Sequence, residues 1–241
     1  AAGIVKDGAL VGIIANPASG KDIRRLVAHG SAFDNNEKIN IVRRVLLGLD
    51  AAGVSRVAYL PDDYGIVQRA AHAAKPKLEI TPLNMPVIAN ATDSTEAAQR
   101  LRDAGAAVIV TLGGDGTNRV VAKGCGDVPL LPISTGTNNV FPRMIEGTLA
   151  GLAAGLVATG VATNRPEGPT VIRRVPRLEI LIDDELRDIA LIDAVTSTQS
   201  WIGARAIWEP THLREIALSR LIPAAIGIAS VGAPLFPNEC G

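Results

Sequence analysis

Asp115 is the single acid in Gly113-Gly-Asp-Gly-Thr-Asn118, and that loop directly follows the run Val108-Ile-Val-Thr-Leu112. A run of apolar and β-branched residues reads as a buried strand, and residues 118–123 read as the first turns of a helix. Gly113, Gly114 and Gly116 cost backbone entropy that a plain turn does not need, and glycines let a main chain pass close to a ligand. A helix start presents free N–H groups and a partial positive charge, which suits phosphate. In an open α/β sheet, ligands sit beyond the carboxyl ends of the strands, where this loop falls. The chain thus sets a phosphate cradle beside one acid. Phosphoryl transfer asks for that pairing: a placed hydroxyl, neutralised phosphates and often a carboxylate to take the proton. The plainer reading is that Asp115 caps the following helix. Thr117 and Asn118 carry the same two readings, as donors to phosphate oxygens or as caps, and the two are compatible.

Two further loops suit the same ligand. Asn16-Pro-Ala-Ser-Gly-Lys21 follows an apolar strand over residues 10–15. It offers the Asn16 side chain, backbone N–H groups through Gly20, the Ser19 hydroxyl and the point charge of Lys21. The G-x-x-x-x-G-K spacing of a Walker loop is absent, and an ordinary strand-to-helix turn is the competing reading. Thr135-Gly-Thr-Asn-Asn139 is the second candidate wall, made of Thr135, Gly136, Thr137, Asn138 and Asn139. Its asparagine pair could read an adenine edge or a sugar hydroxyl; a polar turn is the alternative.

Together these segments resemble the NAD kinase and diacylglycerol kinase superfamily. Gly113-Gly-Asp-Gly-Thr117 is similar to its shared signature, Asn16-Pro-Ala-Ser-Gly20 to the Asn-Pro-x-Ser-Gly loop of the lipid-kinase branch, and 129–141 to the third shared motif. Across residues 9–232 the nearest resemblance is to the acetoin-catabolism protein X group of ATP-NAD kinase-like proteins. The resemblance implies a doubly wound parallel α/β sheet followed by a β-rich domain. It implies ATP as donor, Mg²⁺ beside Asp115, and NAD as acceptor, with Asp115 as base on the ribose 2′-hydroxyl. Ala190-Leu-Ile-Asp-Ala-Val195 is similar to the strand that holds the dinucleotide in NAD kinases, which places Asp193 as an acceptor-binding residue. Ile192 stands where that strand carries Asn. Val140 and Pro142 stand where lipid kinases carry Asp and Ala. The expected activity is an ATP-dependent NAD kinase. The rivals are a lipid or small-alcohol kinase and a nucleotide-binding regulatory protein with little catalysis.

Composition narrows the classes. The chain has 241 residues, 47% apolar and 3% aromatic, with a formal net charge of zero. Ala, Val, Leu and Ile must therefore build the core, as in α/β layers. Few aromatic rings argue against single-strand nucleic acid, and the lack of a basic block argues against duplex. The two cysteines form no C-x-x-C pair, which fits a reduced, cytoplasmic setting. There is no signal-like start and no apolar run of about 18 residues, so no membrane span is expected. The expected partners are small-molecule nucleotides and further copies of the chain in a homo-oligomer. His29, His72 and His212 lack ligand spacing for a structural zinc site. Asp62-Asp63 and Asp183-Asp184 read as surface turns, Arg205 as a surface ion pair, and Trp201 and Trp208 as packing groups.

Positioning falls to the elements between. Strands are expected at 10–15, 57–60, 108–112 and 130–133. Helices are expected at 37–49, 65–74, 95–104 and 118–123, with a buried one at 149–159. Ile39, Val42, Leu46 and Leu49 share a helical face, and Gly53 ends it. Asp93 with Glu96 resembles a capping box for the helix at 95. Alternation of strands and helices predicts the parallel, doubly wound sheet. The expected domains are 1–150, α/β and nucleotide-binding, and 165–241, β-rich. Members of the similar group continue further, so the second is expected to be incomplete. In it, residues 177–182 and 186–196 read as one hairpin, and 211–221 suits neither period.

Overall fold

Leu10–Ala15 and Val108–Gly113 are buried at every position. Strands of this kind need cover on both faces, and a parallel sheet with helices on each side supplies it. The computed structural model describes residues 8–20, 34–136, 138–164, 166–200, 210–223 and 227–235. It places these two runs, β1 (Leu10–Ala15) and β4 (Val108–Gly113), side by side in parallel. With β2 (Arg56–Tyr59), β3 (Glu79–Pro82) and β5 (Leu130–Ser134) they form one parallel sheet in the order β3-β2-β1-β4-β5. The α/β fold is as expected. Edge strand β3 has no counterpart in the sequence reading; Glu79, Thr81 and Pro82 are exposed, so no apolar run marks it.

Alternate residues of the central strands feed two cores. Val11, Ile13, Val108, Val110 and Leu112 pack with apolar residues of α1 (Asn35–Ala51), α2 (Ile66–Ala74) and α5 (Gly147–Ala158). Leu10, Ile14 and Ile109 face α3 (Ala91–Asp103) and α4 (Asp115–Gly124). Gly12 makes room on that second side: a Cβ there would lie 2.6 Å from Leu101 Cδ1. Leu101 is fully buried, and such burial contributes about 1.5–3 kcal/mol.

Helix ends follow local chemistry. Asp34 caps α1, its carboxylate accepting from the Asn36 N–H at 2.8 Å, and Gly53 leaves the helix at φ +81. The start of α3 differs from expectation. It begins at Ala91 rather than 95, because Asn90 is the cap and Asp93 its reciprocal partner, accepting from the Asn90 N–H at 3.1 Å. Glu96 instead pairs with Arg100 one turn on, at 2.7 Å.

The segment expected as a buried helix is α5, and it is buried on one side only. Gly147, Ala150, Gly151, Ala154, Gly155 and Ala158 face inward, while Leu149 is 63% exposed. The cause is close main-chain approach to α1: a Cβ on Gly48 would lie 2.8 Å from Leu152 N, and one on Gly147 2.7 Å from Ile41 O. Small residues therefore occupy the contact and leucines are turned out.

These elements make up one compact unit, residues 8–20, 34–136 and 142–173 of the described chain; residues 138–141 and those from 174 on form a second. In the second unit β6 (Leu178–Ile182) and β7 (Glu185–Ala190) form an antiparallel hairpin. Asp183 and Asp184 turn it at φ +53 and +62, as a two-residue hairpin turn needs. The expected long strand breaks after β7. Leu191 and Ile192 bend with their side chains buried, and β8 (Asp193–Ser197) begins anew, paired antiparallel with β9 (Leu213–Leu218). Ser219 causes the break: its Oγ donates to Leu191 O at 2.6 Å and its N–H to Ile192 O at 2.8 Å. β9 also resolves the middle of the ambiguous stretch 211–221 as a strand, after a 3-10 turn at Pro210–His212. A short helix α6 (Ile228–Gly232) follows.

Candidate active site

β1, β4 and β5 are neighbours and parallel, so the loops at their carboxyl ends lie side by side. The chain winds from β1 outward to β2 and β3, then returns to β4 and β5 on the other flank. Between β1 and β4 lies the switch point at which open α/β sheets bind ligands.

Side chains stitch the three loops together there. The Asn16 N–H donates to Leu112 O at 3.0 Å. Asn16 Nδ2 donates to Thr117 Oγ1 at 2.9 Å, and Asn16 Oδ1 accepts from the Ala18 N–H at 2.9 Å. Ser19 Oγ donates to Asn16 O at 2.8 Å and accepts from Thr135 Oγ1 at 3.0 Å. Gly20 turns the chain at φ +77, the left-handed region open to glycine. Ser134 Oγ donates to Gly136 O, and both residues are buried.

The glycines of the second loop have separate causes. None sits at positive φ; Gly114 caps α4 at φ −95 and ψ −169. A Cβ on Gly113 would fall within 3.0 Å of the Thr117 side chain, so packing excludes one. At Gly116 a Cβ would meet nothing within 4 Å. Gly116 is exposed in the first turn of α4, where alanine would favour the helix by up to about 1 kcal/mol. The fold itself gives no reason for glycine there. A ligand seated against the helix start would supply one, since a Cβ would take space beside the N–H groups.

Asp115 is the first residue of α4 and half-buried. Its neighbours Thr117 and Asn118 are buried, Asn118 completely. Asn118 has a role that neither sequence reading covered. Its Oδ1 accepts from Thr111 Oγ1 at 2.6 Å, and its Nδ2 donates to Gly114 O at 2.9 Å. The amide thus ties the glycine loop to β4 and holds Asp115 at the helix start. Asn138 is exposed and Asn139 half-buried; both belong to the second unit, as does Asp193, half-buried at the start of β8. Lys21, Thr137, Arg205, Trp201 and Trp208 lie outside the described residues.

Sequence reasoning missed Lys38. It is fully buried in the first turn of α1, and its ammonium donates to the carbonyls of Asn16 at 3.0 Å, Pro17 at 2.9 Å and Ser19 at 2.7 Å. The signal was available: Lys38 lies three and four residues before Ile41 and Val42, on the buried stripe, where a lysine is out of place. Asp62 follows β2 in a loop, half-buried, and accepts from the N–H groups of Tyr64 at 2.9 Å and Ile66 at 3.1 Å. Burial pushes its carboxyl above the ordinary value, outweighing those hydrogen bonds; the Tyr59 hydroxyl is raised first by its own burial and then by the Asp62 charge.

Among the described residues no cluster of three or more His, Cys, Asp or Glu could hold a metal. A Mg²⁺ carried in on nucleotide phosphates asks for only one or two protein carboxylates, which Asp115 fits.

The family model for the ATP-NAD kinase N-terminal domain matches residues 11–161, which contain all three loops. The chain belongs to this family. The model for the acetoin catabolism protein X C-terminal domain matches residues 176–240. Acetoin catabolism protein X of Cupriavidus necator is 43% identical over 239 residues, covering 95% of this chain and 66% of its own length. The chain therefore spans just under two thirds of that relative. The crystal structure of UDP-GlcNAc 2-epimerase from Neisseria meningitidis bound to UDP-GlcNAc is similar over 50% of this chain and 30% of that one, at 12% identity and a TM-score of 0.34. That similarity is too low to inform fold or function.

Proposed function

We propose that the chain is an ATP-dependent kinase that moves the terminal phosphoryl group of ATP onto a hydroxyl, the ribose 2′-hydroxyl of NAD. Family membership supports kinase-like chemistry, and Gly116 is the observation that carries the site: a glycine open to solvent at a helix start, beside a half-buried acid. The N–H groups in the first turn of α4 hold phosphate oxygens. Asp115 accepts the proton of the attacking hydroxyl. The Asn16, Ser19 and Thr135 contacts fix the distance between the loops, so the phosphates meet a preorganised wall. Mg²⁺, when bound with ATP, neutralises the phosphate charge that builds during transfer. Asp193 would accept hydrogen bonds from the acceptor sugar. A reduced cytoplasmic setting belongs to the same proposal, and Cys125, kept as a buried thiol, suits it.

The test is incubation of purified protein with labelled ATP, Mg²⁺ and separately NAD, NADH or diacylglycerol. Label is expected in NAD, and Asp115→Asn is expected to lower kcat by at least about 100-fold while the protein stays folded. Label in diacylglycerol alone would move the protein to the lipid-kinase branch. ATP binding without any labelled product would make it a nucleotide-binding regulator.

A further inference from the structure

We propose that Lys38 is the positioning residue of the Asn16–Gly20 loop and, through that loop, sets the spacing of all three phosphate-facing segments; this rests on the kinase reading above. A lysine ammonium has three N–H donors and is strongly hydrated in water. Here it is fully buried, and three main-chain carbonyls of one loop, with Asn35 Oδ1 at 3.0 Å, stand in for that water. The carbonyls gain in turn, since buried main-chain acceptors need partners.

The contact fixes which edge of the loop faces outward. No peptide bond in the described chain is cis, and a trans peptide sets its N–H opposite its C=O. With the Ser19 carbonyl drawn in to Lys38, the N–H of Gly20 points away from the ammonium. Asn16 and Ser19 are also the residues that reach across, to Thr117 in the second loop and Thr135 in the third. Lys38 therefore acts at two removes from any ligand. Of the three carbonyls it holds, two belong to Asn16 and Ser19, and the side chains of those two residues hold the other loops. An apolar side chain of equal length would fill the space but take this donor from all three carbonyls, with Asn16 O keeping its bond from Ser19 Oγ. A glutamine amide has two N–H donors against the three of the ammonium and cannot meet all three carbonyls.

The test compares Lys38→Met, Lys38→Gln and Leu101→Ala with the unaltered chain. Leu101→Ala is the stability control, because Leu101 is an apolar residue of the core on the α3 side of the sheet. ATP affinity is read by calorimetry, KM and kcat by turnover, and melting temperature by scanning. Lys38→Met is expected to weaken ATP binding and raise its KM by at least about tenfold, with kcat at saturation within about threefold, because a ligand wall is misplaced while the acid is kept. Leu101→Ala is expected to lower the melting temperature and leave ATP affinity within about twofold. Should Lys38→Met fail to fold, Lys38→Gln carries the same expectation for affinity. Affinity unchanged in the folded Lys38 variant, or lost equally in Leu101→Ala, overturns the assignment. An unaltered chain that binds no ATP at millimolar concentration overturns the kinase reading itself, and with it the role of Lys38.

Discussion

Gly116→Ala asks whether the second loop is a cradle or merely a turn, because the two readings give it opposite signatures. The position is helical and exposed, and the added methyl would meet no atom within 4 Å. Folding should therefore benefit. Alanine gains up to about 1 kcal/mol over glycine within a helix, and less in the first turn, so about 0.5–1 kcal/mol is expected. For a chain of this size that raises the melting temperature by about 1–4 °C. Binding should suffer. The methyl occupies the ground beside the N–H groups of the first turn of α4, and losing one charge-assisted hydrogen bond costs about 1.5–3 kcal/mol, or about 10- to 150-fold in ATP affinity. Scanning calorimetry without nucleotide gives the first quantity and titration calorimetry the second. Gly113→Ala serves as the contrast: its methyl would fall within 3.0 Å of Thr117, and overpacking there should cost about 1–3 kcal/mol of stability. A more stable Gly116→Ala protein with unchanged ATP affinity would refute the cradle, and a less stable one would refute the geometry.

Two other perturbations follow from buried polar contacts. Asn118→Asp sets a carboxylate oxygen against Gly114 O, where a donor now sits at 2.9 Å; a loss of at least about 2 kcal/mol in urea unfolding is expected, and stability within error of the original would mean that the amide does not hold the loop. Asp62 is held above its ordinary value of 3.8 by burial, so the folded state favours its protonated form: its contribution is fully present below that value and is lost as pH rises through the raised one. Asp62→Asn, neutral throughout, should show a flatter stability curve just above pH 3.8, and unfolding midpoints that run parallel for the two proteins would contradict the shift.

Much of the first unit was legible because its signals are local. Six buried positions in a row mark β1 and β4, and strands of that kind force a layered α/β arrangement. The three loops were legible as motifs, and strand order brings their first residues together. What escaped depends on contacts distant in sequence. The inward turn of Lys38 is set by carbonyls about twenty residues earlier. The break between β7 and β8 is set by Ser219, 28 residues beyond Leu191. The outward leucines of α5 invert the usual amphipathic rule because the backbone of α1 comes too close for large side chains. At α3 the failure was one of competition: Asn90, Asp93 and Glu96 all carry capping chemistry, and spacing alone does not rank them.

The strand order has a consequence for how the protein comes to have a site at all. β1 meets β2 across 46 residues, Leu10 opposite Arg56, but meets β4 only across 97, Val11 opposite Val108. The cross-loop contacts are longer still, 101 residues from Asn16 to Thr117 and 116 from Ser19 to Thr135. Closing such loops is entropically harder and slower than pairing near neighbours. On sequence separation β1 is expected to pair with β2 before β4, and the ligand wall is complete only once β4 and β5 have joined the sheet. A nucleotide that grips both sides of that seam would hold it shut by mass action. Its concentration would then govern how often the molecule parts along the β1–β4 line.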